Sequence, residues 1–213
     1  MIPRSVPVRR FLAGAVIAAA ALSTPVAAQQ AARETAVLAG GCFWGVDAVF
    51  KHVKGVISVV SGYAGGAKAS ADYETVSGGA SGHAESVKII FDPKVVSYET
   101  LLKVFFSVAH DPTQLNRQGP DVGTQYRSAV FFSNAAQQQA ATAYIAQITQ
   151  SKVYKRPIVT QVASLAGFFA AEAYHQDYLA QHPTQAYIVY NDLPKLDALR
   201  KTFPELWQEP VRK

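Results

Sequence analysis

Cys42 is the only cysteine among the 213 residues, and Met1 the only methionine. A single thiol closes no internal disulfide, so stability must come from packing and the leftover thiol needs a reason. It also removes the cysteine pairs of zinc sites. The five histidines, His52, His83, His110, His175 and His182, offer no H-x-x-x-H spacing, so no metal centre is expected. Methionine is the core residue most readily oxidised, and its absence after Met1 suits a protein working amid oxidants. Sustained Lys/Arg runs are missing too, so a nucleic-acid partner is not implied. Neither G-x-x-x-x-G-K-[ST] nor a post-strand G-x-G-x-x-G occurs, which sets nucleotide binding aside.

What is present begins with a leader. Arg4, Arg9 and Arg10 form a basic start, residues 11–22 an alanine-rich apolar run, and Val26-Ala27-Ala28 a small-residue cleavage site. The run is shorter than the roughly 20 residues a membrane span requires. Residues 1–28 are therefore expected to be a secretory signal peptide, with an uncleaved anchor as the alternative. The Arg9-Arg10 pair leaves the Sec and twin-arginine routes both open. The expected destination is outside the cytoplasm, the periplasm if the source is Gram-negative, with no membrane attachment after cleavage. The leader holds three arginines and no acid, so its removal takes the formal net charge from +5 to about +2. Residues 29–34 read as a linker, and the remainder is long enough for one domain with a real core.

The stretch around which this domain is organised is Gly40-Gly41-Cys42-Phe43-Trp44-Gly45. Residues 35–39 read as a buried strand, and Val46, Val49, Phe50 and Val53 follow at helical spacing. Cys42 thus falls at a strand-to-helix turn, where free amides and the helix dipole favour thiolate. A small buried hydrophobe is the competing reading of a lone cysteine. Further strands are predicted over 55–62, 83–92, 125–132 and 157–162. Residues 63–82 and 110–123 read as long loops. Helices are predicted after Ser97, after the Ser133-Asn134 cap as far as Thr149, within a loop-and-helix stretch over 168–180, and over 193–207. For the helix to Thr149 the expected buried stripe is Ala140, Tyr144, Ile145 and Ile148. Strands mix with helices without strict alternation, which predicts a single-domain α+β fold: a mixed β-sheet flanked by helices.

A thiolate needs a group that steers protons. Three segments of unusual polarity can supply it: Gly82-His83-Ala84-Glu85 at the head of an apolar strand, Asp121 to Tyr126-Arg127, and Gly62-Tyr63 followed by glycines. Each has a plainer reading, with Glu85 on a solvated sheet face, Tyr63 and Tyr126 as core aromatics and Asp121 as a turn former. His83 and His175 are the candidates should Cys42 work with a histidine.

Taken together, the motifs resemble the peptide methionine sulfoxide reductase A family. The matching stretches are Gly41-Cys42-Phe43-Trp44-Gly45, Gly62-Tyr63 to Gly66, Gly82-His83-Ala84-Glu85, His110-Asp111-Pro112 and Gln118-Gly119. Asp121, Gly123 to Ser128, Ala171-Glu172 and Tyr174 to Tyr178 complete the series. They occur in family order from about Leu38 to Tyr178. The resemblance implies reduction of the S epimer of methionine sulfoxide, in peptides and free, as protein repair. It makes Cys42 the nucleophile and Glu85 the acid toward the sulfoxide oxygen. Tyr63, Asp121 and Tyr126 are implied as polar groups around that oxygen, and Phe43 and Trp44 as the wall for the substrate methyl group. Residues 35–190 form the implied catalytic domain, and 191–213 a C-terminal helix and tail.

Three departures stand out. Asp47 occupies a position where the family commonly has Glu, and Ala173 one where Asp is common. The resolving cysteine that many relatives carry near the C-terminus is absent from 191–213. The sulfenic acid left on Cys42 would therefore be resolved by an external dithiol or thioredoxin-like reductant, with no bound cofactor. The expected partners are oxidised proteins and peptides and that reductant. The alternatives are a one-cysteine peroxidase, or a non-catalytic module that binds oxidised peptides in the aromatic pocket.

Overall fold

The computed structural model describes Met1 and residues 33–210. The leader, apart from Met1, lies outside the described residues. So does the expected linker except Arg33 and Glu34, and Glu34 already opens the first strand.

In chain order the elements are β1 (Glu34–Gly40), α1 (Phe43–Lys51), β2 (Val56–Ala64), α2 (Tyr73–Ser77), β3 (Ala84–Phe91) and α3 (Tyr98–Val104). Next come β4 (Arg117–Gln118), β5 (Asp121–Val122), β6 (Ser128–Phe132), α4 (Ala135–Gln150), β7 (Gln161–Ser164) and β8 (Phe168–Ala170). α5 (Tyr178–Gln181) and α6 (Leu193–Thr202) follow. The described residues build a six-stranded sheet in the order β7-β6-β1-β3-β2-β8, mixed because only β6 and β7 run parallel. That parallel pair requires a crossover, which α4 provides.

β1 lies between β3 and β6 and reads as an unbroken apolar run because both its faces are covered. Ala36 and Leu38 point into the main core with Val46, Val49 and Phe50 of α1 and Val87 and Ile89 of β3. Val37 and Ala39 point the other way, into a thinner layer with Ala64, Ala84, Ala129 and Phe131. Complete burial of side chains such as Leu38, Val49 and Phe50 stabilises the fold by about 1.5–3 kcal/mol each.

Caps explain several boundaries. Ser97 accepts the Thr100 N–H ahead of α3, and Asn134, the second residue of the expected pair, accepts the Gln137 N–H ahead of α4. Gln137 is itself buried and donates to Thr35 O at 2.7 Å, pinning α4 to β1. Gln137 and Ala141 are the fully buried residues of α4. The predicted stripe of Ala140, Tyr144, Ile145 and Ile148 is only half-buried.

Other expectations shift. The strand predicted over 157–162 forms later, at β7, because Pro157 has no N–H to give and Val159 N–H goes to Pro112 O instead. The strand expected from Gln125 starts at Ser128, since residues 124–126 make a 3-10 turn. The stretch 168–180 opens with the edge strand β8. The last helix stops at Thr202, where Phe203 leaves helical geometry and Pro204 follows. Residues 63–82 are not one loop: Tyr63 and Ala64 finish β2, and α2 lies within the stretch under an Asp72 cap. Arg127 fastens its end by donating to the carbonyls of Gly82 and His83.

Among the described residues no helix is long and apolar enough to cross a membrane, and no group of three or more His, Cys, Asp or Glu stands ready for a metal ion.

Candidate active site

The site begins where β1 ends. Gly41 has φ +91°, a left-handed conformation that side chains resist, and a Cβ there would stand 2.5 Å from Gln118 Cβ. This turn sets Cys42 at the N-cap of α1, as the sequence predicted, with the residue only 8 % exposed. The first-turn amides of α1 are therefore beside the sulfur.

Glu85 reaches the same helix end. β1 and β3 pair antiparallel with Leu38 opposite Val87, so the residue just beyond β1 meets the head of β3. Glu85 is 3 % exposed, and its Oε2 accepts the Phe43 N–H at 3.0 Å. It is not on a solvated face. Burial pushes its carboxyl up to about 8, with Asp121 adding to the rise and the Phe43 amide opposing it. At neutral pH Glu85 thus holds a proton, with Oε1 available to carry it.

The thiol moves opposite to the expectation drawn from the helix dipole. Burial raises the Cys42 pKa well above its ordinary value, Glu85 and Asp192 raise it further, and the Trp44 amide and Lys195 only partly offset them. Desolvation outweighs one helix turn.

Tyr63 lies opposite Glu85 in the β2–β3 register and is fully buried. Its hydroxyl donates to Glu172 Oε2 at 2.9 Å, while Glu172 Oε1 accepts the Tyr73 N–H at 2.9 Å. Asp121, half-buried on β5, accepts a hydrogen bond from the Tyr187 hydroxyl. Burial raises the Asp121 carboxyl, against the Tyr187 bond and Lys195. Tyr126 is half-buried, and its phenol is held above its ordinary value by burial and then by Glu85, Asp121 and Cys42. All of these phenols remain neutral donors at physiological pH.

The aromatic wall is built on α1. Phe43 is buried with its ring 5.9 Å from Tyr63 and 5.0 Å from His175. Trp44 is half-buried, stacks on Tyr178 at 3.7 Å, meets Tyr187 edge-on, and donates its indole N–H to His175 Nδ1 at 3.2 Å. His175 is committed to that bond and His83 accepts the Gly66 N–H, so the Cys–His pairing considered from sequence is not built. His110 is a third structural histidine: Nδ1 donates to Phe105 O and Nε2 accepts from Ser128, and burial pushes its pKa down to about 4.

Cys42, Glu85, Phe43, Trp44, Tyr63, Asp121 and Tyr126 come together around one end of α1. Sequence reasoning passed over Tyr187, Glu172, Asp192 and Lys195. Glu172 stood within a recognised motif. Lys195 lies in the helix predicted over 193–207, and Tyr187 and Asp192 just before it, where the sequence gave no hint of the site. A nucleophile, a protonated carboxyl and neutral phenols against an apolar wall suit a neutral electrophile that carries oxygen and must take up a proton as its bond breaks.

The family model described as peptide methionine sulfoxide reductase matches residues 34–207. The chain is 59 % identical over 176 residues to peptide methionine sulfoxide reductase MsrA 2 of Mesorhizobium japonicum, covering 83 % of this chain and 90 % of that one. It is 49 % identical over 181 residues to MsrA 2 of Synechocystis, covering 85 % of each. Among solved structures it is similar to Mxr1 of Saccharomyces cerevisiae in reduced form, with TM-score 0.66, 31 % identity, and coverage of 71 % and 87 %. Methionine sulfoxide reductase A of Corynebacterium diphtheriae gives TM-score 0.64, 32 % identity, and coverage of 73 % and 77 %.

Proposed function

The chain belongs to the peptide methionine sulfoxide reductase family, an oxidoreductase family that repairs oxidised methionine, and on that footing we propose a single-cysteine cycle run by Cys42 and Glu85 on the S epimer. The observation that carries the proposal is the buried Glu85 carboxyl on the first amide after Cys42. In the proposed step Cys42 sulfur attacks the sulfoxide sulfur while Glu85 protonates the oxygen, and the thiol proton replaces the one Glu85 gave. The S–S bond so formed then breaks as the hydroxyl passes from the substrate sulfur to Cys42: the substrate S–O bond is lost, a new S–O bond forms on Cys42, the substrate leaves reduced to the thioether and Cys42 is oxidised to sulfenic acid. Tyr126 donates toward the oxygen, directly or through water, Tyr63 and Asp121 complete the polar surroundings of that oxygen, and Phe43 and Trp44 hold the methyl group.

With no second cysteine, one external thiol displaces water from the sulfenic acid to give a mixed disulfide, and a second thiol, or the other half of a thioredoxin-like dithiol, frees Cys42. The same reading has the chain exported, to the periplasm in a Gram-negative host, with mature protein starting at Gln29. N-terminal sequencing of the exported form tests that part.

The central test is a single turnover without reductant. The expected result is about one equivalent of methionine from the S epimer only, with one oxygen added at Cys42 by mass spectrometry. Product from both epimers equally would remove the stereochemical assignment. No product, with oxidised peptide still bound by Cys42→Ser, would replace the cycle by the binding-module reading, and rapid peroxide consumption independent of Glu85 by the peroxidase reading.

A further inference from the structure

Lys195 sits in the first turn of α6, two residues after the helix begins. A π-helical stretch (Ile188–Asp192) runs straight into α6, so the backbone is helical across both Asp192 and Lys195. Asp192, immediately before α6, does not cap it with its side chain. Instead, Asp192 is completely buried and its Oδ1 accepts from Lys195 Nζ at 3.1 Å, while Oδ2 is buried with no partner among the described residues.

Both side chains stand against the neighbouring helix α1. A Cβ built on Gly45 would stand 2.1 Å from Asp192 Oδ1 and 2.7 Å from Lys195 Nζ. Gly45 lies three residues after Cys42, hence on the same side of the first turn of α1. The bare glycine lets an ammonium and a carboxylate rest against the helix end that bears the sulfur. Lys195 is the cation whose charge opposes the upward push on the Cys42 thiol.

We propose that Lys195 and Asp192 are positioning residues for Cys42. The ammonium supplies positive charge to the sulfur as it becomes nucleophilic, and Asp192 holds that ammonium against Gly45. Other charged or titratable groups bear on the same place: Glu85 from β3, Asp121 from β5, Tyr126 from the turn before β6, Tyr73 from α2 and Tyr187 ahead of α6. Glu85 and Asp192 are negative when ionised and oppose thiolate formation, so the lysine has a definite electrostatic task. The idea rests on Cys42 being the nucleophile proposed above, yet its test needs no sulfoxide.

The test is the pH dependence of Cys42 alkylation by iodoacetamide in folded protein, compared among the parent chain, Lys195→Met, Asp192→Asn and the double variant. Removing the ammonium should raise the alkylation midpoint by about one pH unit, and neutralising Asp192 should lower it. The double variant should fall between the two single changes. A Lys195→Met midpoint equal to that of the parent overturns the proposal. If Lys195→Met alone fails to fold, because Asp192 is left buried and unpaired, the comparison passes to Asp192→Asn with and without Lys195. Identical midpoints there overturn it equally. A merely structural pair would not move the midpoint in opposite directions. Loss of sulfoxide turnover in the parent chain would count against the proposed cycle and leave this result untouched.

Discussion

Glu85 carries two opposing consequences in one side chain. In the proposed cycle it is the proton donor to the departing oxygen, and its charge, when present, opposes ionisation of Cys42. Glu85→Gln keeps an acceptor for the Phe43 N–H but has no proton to give. Turnover is expected to fall by about 10²- to 10⁴-fold, while the alkylation midpoint of Cys42 moves down. More thiolate with less catalysis separates proton donation from thiol activation. Steady-state rates and alkylation profiles on the same preparation check it, and parallel changes in the two would contradict the assignment. At this scale the sequence was informative wherever a polar residue interrupted an apolar context, as at Glu85 and Cys42. It was silent on Tyr187, Asp192 and Lys195, because a residue whose partners are distant in sequence leaves no periodic trace of them.

Among elements, α1 has the most consequences. One of its ends meets Glu85, Asp192 and Lys195, and its apolar face fills the main core. Gly45→Ala poses a direct contest there. Alanine is favoured over glycine in a helix by about 1 kcal/mol, but the new methyl would strike a completely buried carboxylate. Overpacking of that kind costs about 1–3 kcal/mol, so a net loss is expected, seen as a lower urea midpoint at unchanged slope. A rise in the midpoint would show that Asp192 has room to move. β1, α1, β2, β3 and α3 were legible because their apolar spacing and caps agree with their packing. β7 and β8 were not, since short edge strands borrow their pairing from neighbours and Pro157 and Val159 are engaged elsewhere. The half-buried stripe of α4 shares that cause: its polar Gln137 takes the buried place by reaching the backbone of β1.

For the molecule as a whole, the shifted groups set a pH profile of stability. Glu85 has a folded pKa raised to about 8, so it binds more protons folded than unfolded, and its contribution is lost as pH climbs from 4.5 toward 8. Asp47, raised to about 6 by burial against its Lys51 partner, acts the same way at lower pH. His110, lowered to about 4, works oppositely, and its contribution is lost as pH falls below 6.5. The effects partly cancel under acid conditions, and between pH 6.5 and 8 the rise of Glu85 to about 8 sets the slope. The chain is expected to lose about 2 kcal/mol of stability across that interval, and Glu85→Gln to lose almost none. Denaturant titrations at the two pH values read the difference. Equal losses in both proteins would mean that Glu85 is already ionised when folded.

The two tryptophans of the chain stand at opposite ends of α1. Trp44 lies in its first turn, stacked on Tyr178, while Trp207 stacks at 4.5 Å on His52, just past its last residue, beneath the Arg200 guanidinium. The protein is thereby supplied with two intrinsic fluorophores, one reporting the Cys42 end of the helix and one the far end. In Trp207→Phe the remaining emission belongs to Trp44 alone, so sulfoxide entry and oxidation of Cys42 become optically visible without any label. In Trp44→Phe the emission should stay constant through the same cycle and change only on unfolding.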